Sequence, residues 1–120
     1  MAPHLTLAAL AALTATTAQM APALAGTRCT FTFECYMTEA CTSTDWTLWV
    51  DPGAGRLSSA AEDWTLLHAS EDGSQMLASG TGSLALLSIG KEVSLFTTHI
   101  AGDTAYDPIT VTFFGECVTE

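Results

Sequence analysis

Four cysteines, two histidines and a surplus of carboxylates are the side chains with which residues 26–120 could do chemistry. Cys29, Cys35, Cys41 and Cys117 could hold a metal, act as nucleophiles or form disulfides. Their spacing lacks the paired C-x₂₋₄-C knuckles of structural zinc sites, and an even count in a small exported domain reads as two disulfides. Paired in that way, the thiols are withdrawn from catalysis. A hydrolase would then rest on a serine activated by His68 or His99, but neither histidine lies in a recognisable motif and no G-x-S-x-G elbow is present. Hydrogen bonding to backbone at a strand rim is the simpler role for both. No HxH or HExxH spacing gathers metal ligands, so no metal and no cofactor are expected. Asp103 and Asp107 flank a Gly-Asp…Asp-Pro segment that could offer oxygens to calcium, yet without the D-x-D-x-D-G pattern it reads as ordinary turn chemistry.

Binding has a better foothold. Asp45, Thr47, Trp49 and Asp51 share one parity, opposite to Trp46, Leu48 and Val50, which puts an aromatic on the polar face of its strand. Exposed aromatics anchor partners. Trp49, flanked by Asp45 and Asp51, is therefore the candidate contact site.

The elements that position these residues are strands. Cys29-Thr-Phe-Thr-Phe-Glu-Cys35 alternates, with Cys29, Phe31, Phe33 and Cys35 on one face and Thr30, Thr32 and Glu34 on the other. Ile109, Val111, Phe113, Gly115 and Cys117 share a parity at the far end. If Cys29 faces Cys117 in an antiparallel ladder, Phe31 falls opposite Gly115 and Phe33 opposite Phe113, both favourable pairs. That register predicts disulfides Cys29–Cys117 and Cys35–Cys41. Between the ends, strands are expected around Trp46–Val50, Trp64–Ser70, Gln75–Ser79, Ser83–Ile89 and Glu92–Ile100. Asp72-Gly73 marks a hairpin, and Gly90-Lys91 suits a type II′ turn. On this parity His68 groups with Trp64 and Leu66, and His99 with Val93 and Leu95. The pattern predicts an all-β, antiparallel up-and-down meander of about eight short strands, closed or nearly closed into a barrel, with a two-sheet sandwich as the alternative.

Residues 1–25 read as a cleavable signal peptide. Leu5–Leu13 is a short apolar stretch, and Ala23-Leu24-Ala25 offers the small-x-small pattern cut before Gly26, although the n-region lacks Lys and Arg. That leaves residues 26–120 as a single disulfide-bonded domain without a membrane anchor, periplasmic or secreted. A formal net charge of −10, from 13 acidic and 3 basic residues, excludes nucleic acid as a partner. It suits a basic protein, while an open barrel interior would suit a small apolar ligand.

The Cys29-to-Cys35 segment, Cys41, Leu86-Leu87-Ser-Ile, Thr97-Thr-His99 and the closing Thr112-Phe-Phe-Gly-Glu-Cys117 together resemble a group of small exported, cysteine-paired proteins of alphaproteobacteria. The resemblance covers most of residues 26–120 and implies export and a paired-cysteine β domain. It carries over no catalytic residue. Size, acidity and disulfides are also similar to those of small periplasmic lysozyme inhibitors, without their inhibitory-loop sequence. The expected function is therefore a non-enzymatic, exported acidic domain that acts by binding. Inhibition of a cationic cell-wall hydrolase such as lysozyme is the first alternative, and a small hydrolase using His68 or His99 the second.

Overall fold

The computed structural model describes residues 26–120; the expected signal peptide lies outside them. Eight strands follow one another: β1 (Thr27–Tyr36), β2 (Thr42–Asp51), β3 (Arg56–Ser58), β4 (Asp63–Ala69), β5 (Gln75–Gly80), β6 (Ser83–Ser88), β7 (Ser94–Ile100) and β8 (Ile109–Thr119). Each pairs antiparallel with its neighbour and β8 returns to β1, closing an up-and-down barrel. Closure gives every strand a hydrogen-bonded neighbour on both sides over at least part of its length. An eight-stranded barrel encloses a space that side chains can just fill, or that can hold one small ligand.

The seam between first and last strands has the expected start. Cys29 stands opposite Cys117 and Phe31 opposite Gly115, and the disulfides are Cys29–Cys117 and Cys35–Cys41. Two disulfides in so small a domain suit an oxidising compartment. Beyond Phe31 the register departs from simple alternation, because a bulge between Phe31 and Phe33 shifts the pairing on both sides of β1. Phe33 therefore pairs with Phe114, not Phe113, and is 52% exposed on the outer wall. Glu34, expected to face outward, takes the place opposite Phe113 on the inside. One extra residue is enough to exchange the faces of everything after it.

Three further expectations change. A bulge between Leu66 and His68 breaks the parity of β4, leaving Leu67 and His68 both exposed. Val93, Leu95 and His99 do share a face, but it is the outer one; Ser94, Phe96 and Thr98 point inward and are buried. The β6–β7 connection spans residues 89–93, and Gly90 is not among the glycines with positive φ, so the type II′ turn does not form. The Asp72-Gly73 hairpin does form: Gly73 takes φ 72°, and Asp72 Oδ1 accepts hydrogen bonds from Ser70 Oγ, Ser74 N and Ser74 Oγ.

The two ends of the barrel differ. The connections β2–β3, β4–β5 and β6–β7 lie with both described termini at one end, where Cys29, Leu48, Val50, Leu57, Met76 and Leu87 fill the interior. The connections β1–β2, β3–β4, β5–β6 and β7–β8 surround the other end, which is not filled.

Candidate functional site

A cavity of about 670 Å³ occupies the unfilled end. Its floor is aromatic. Phe96 is fully buried at its base, with Trp46 and Phe113 packed around it and Trp64 edge-on at 5.3 Å. Trp46 meets Phe113 in the same perpendicular manner at 4.8 Å. Such edge-to-face packing leaves an apolar surface assembled from both ring faces and ring edges. The walls continue with Thr98, Val111 and Ile100, and Thr98 Oγ1 donates to the Val111 carbonyl at 3.4 Å.

The local sequence explains why this end stays open. β3 contributes only three residues, so the upper half of β2, from Thr42 to Leu48, pairs with β1 on one side and with no strand on the other. The Ser59–Glu62 loop takes over that flank. Ser59 Oγ caps the loop by accepting the N–H groups of Ala61 and Glu62 at 3.2 and 3.1 Å. Glu62 Oε1 in turn accepts the Thr81 N–H at 3.0 Å, tying the β3–β4 loop to the β5–β6 turn across the mouth. Gly80 permits that closeness: a Cβ there would collide with the Glu62 carboxylate and lie 2.8 Å from both Ser83 Oγ and Trp64 Cδ1.

The polar groups at the mouth are of two kinds. Glu34, Asp45 and Glu62 supply carboxylates, and among the described residues no Lys, Arg or His side chain lines the cavity. Glu34 is half-buried, and among the described residues its carboxylate makes neither an ion pair nor a hydrogen bond. Trp46 Nε1, Trp64 Nε1 and Ser83 Oγ are buried hydrogen-bonding groups without a partner among the described residues, and all three belong to residues that line this cavity. A buried donor without an acceptor costs about 1 to 3 kcal/mol.

The structure separates the residues expected to form a contact site. Trp49 lies on the outer wall of β2, 50% exposed, between Arg28 of β1 and Ser58 of β3. With Asp45 it forms the outer lip of the cavity. Asp51 is at the opposite end, where its Oδ1 accepts the Ala54 N–H in the β2–β3 turn. His68 and His99 are both on the outer wall, and among the described residues neither side chain makes the hydrogen bond to backbone expected of it. Neither lines the cavity. Asp103 Oδ1 accepts the N–H groups of Ala105 and Tyr106, so that carboxylate shapes its own loop. Among the described residues, no three metal-ligating side chains converge.

The sequence carries no separate signal for the aromatic floor: Trp46, Trp64, Phe96 and Phe113 have ordinary inward parity, which is also the signature of core. Strict alternation puts Glu34 on the outer face, and only the register irregularity after Phe31 brings it in. The three-residue β3 gave no periodic signal, yet its shortness is what leaves the mouth open. Comparison of the chain with protein-family models, curated proteins and solved structures finds no match.

Proposed function

We propose that this protein is an exported binding barrel that takes a small, largely apolar ligand into its open end and acts by binding rather than by catalysis. The observation that carries this reading is the cavity itself. Its volume of about 670 Å³ falls in the range of small-molecule sites, and it combines an apolar lining with a few convergent polar groups. The unpartnered Trp46 Nε1, Trp64 Nε1 and Ser83 Oγ support an occupant with a hydrogen-bond acceptor, which would relieve the cost of burying them alone. Trp49, on the lip, is placed to cover an occupant or to meet a larger partner. Export to the periplasm or beyond accords with the two disulfides and the sequence of residues 1–25.

The test is fluorescence titration with N-phenyl-1-naphthylamine, a neutral apolar probe that brightens on leaving water. Saturable one-to-one binding is expected, weakened at least tenfold in Ser83→Phe, which places a ring in the cavity, with folding verified by circular dichroism. Absence of saturable binding, or equal affinity in the folded variant, would contradict the reading. A second reading, inhibition of a cationic cell-wall hydrolase, is favoured by the acidic mouth, which would steer a basic partner. Inhibition of a basic lysozyme at stoichiometric concentration, lost in Trp49→Ala, would support it.

A further inference from the structure

The Lys and Arg side chains of residues 26–120 are confined to one end of the barrel, whereas carboxylates occur at both. Arg28 and Arg56 belong to the filled end, at the start of β1 and of β3, and Lys91 lies in the β6–β7 connection at the same end. Arg28 is paired with Glu120 at 3.0 Å. The open end has no Lys or Arg among the described residues. It carries Glu34, Asp45 and Glu62 in the cavity wall, with Glu39, Asp103 and Asp107 in the connections around it. Carboxylates around a low-dielectric recess focus a negative potential into it.

We propose that the ligand of this cavity is a small organic cation, an ammonium group carried on an aromatic or alkyl body; the inference rests on the binding function above. Two independent features of the site converge on it. Glu34 is half-buried, directly opposite Phe113, and its carboxylate has no neutralising cation among the described residues. Beside it, Trp46 and Phe113 are only partly buried and line the cavity, and rings of this kind attract ammonium groups, tryptophan most strongly. Trp64, only 6% exposed, lines the same cavity, and its buried indole N–H has no acceptor among the described residues, which suits a ligand whose body also carries an oxygen or similar acceptor. An anion would meet three carboxylates and no compensating charge. A neutral apolar molecule would fill the cavity but leave the Glu34 carboxylate without a counter-charge.

The experiment is calorimetric titration with three compounds sharing one ring: 1-naphthylmethylamine, 1-naphthalenemethanol and 1-naphthoate. The amine is expected to bind at least tenfold more tightly than the alcohol, about 1.4 kcal/mol, with naphthoate weakest. The amine-to-alcohol ratio should collapse in Glu34→Gln and shrink in Glu62→Gln, whose amide oxygen can still accept from Thr81. It should persist in Glu71→Gln, which removes a charge at the filled end. Equal affinities for amine and alcohol would overturn the cationic assignment while leaving the apolar binding function standing. Failure of all three compounds to bind would remove both. A tenfold preference for the amine that survives Glu34→Gln and Glu62→Gln would show that charge is read elsewhere on the barrel, and would overturn the assignment to this cavity.

Discussion

Replacing Cys29 and Cys117 together with alanine tests how the barrel is held closed. The bridge joins β1 to β8 at the seam, across a sequence separation of 88 residues, whereas Cys35–Cys41 spans 6. In the chain-entropy treatment the long loop is worth about 4.5 kcal/mol and the short one about 2 kcal/mol. Alanine is the better replacement because Cys29 is fully buried. Serine would add an unpartnered hydroxyl and its own cost of about 1 to 3 kcal/mol. Domains of this size have a total stability of about 5 to 15 kcal/mol, so losing the long bridge would leave the barrel near the edge of unfolding. Equilibrium urea denaturation is the assay. With a slope of about 1.5 kcal/mol per molar, the midpoint should fall by about 3 M for Cys29→Ala/Cys117→Ala and by about 1.3 M for Cys35→Ala/Cys41→Ala. Equal shifts, or a larger shift from the short bridge, would refute the view that tethering the first strand to the last is the dominant contribution.

Other consequences follow from particular residues. Gly115→Ala should destabilise the barrel by about 3 kcal/mol, as judged by thermal melting, because the new Cβ would collide with the Thr30 carbonyl and lie 2.7 Å from Phe31 Cα, both backbone atoms. Three hydrogen bonds from Ser70 and Ser74 hold the Asp72 carboxyl down to about 2, against its usual 3.8. Its folded value is depressed, so its contribution to the β4–β5 hairpin should be complete above pH 4 and fade as pH falls through about 2; an NMR titration of the Asp72 carboxyl and the Ser74 amide would show this, and a midpoint near 3.8 would contradict it. Trp49→Ala should change stability by no more than about 1 kcal/mol in urea denaturation, since the side chain is 50% exposed on the outer wall.

The strands other than β3, the start of the closing seam and both disulfides were legible because they depend on period-two alternation and on cysteine parity, which survive in any single sequence. Cys29 opposite Cys117 and Phe31 opposite Gly115 follow from that logic. It fails where one residue is inserted. At Phe31/Phe33 and at Leu66/His68 the inserted residue exchanges faces, and no local residue type announces it. The Gly90-Lys91 turn failed for a different reason: a five-residue connection meets the geometry without a left-handed glycine. The cavity was hidden more deeply. Inward aromatics have the same parity whether they fill a core or line a hollow, and which they do depends on the length of β3 and the path of the Ser59–Glu62 loop, neither of which is periodic.

The claim that the open end is the binding site is tested most directly by the indole resonances of the protein. In a ¹H,¹⁵N correlation spectrum, titration with N-phenyl-1-naphthylamine should shift the Nε1–H signals of Trp46 and Trp64, whose rings line the cavity and whose indole nitrogens have no acceptor among the described residues. Saturable shifts of both would meet the expectation. If the probe binds and these two signals stay in place, the ligand lies elsewhere and the assignment of the cavity is wrong.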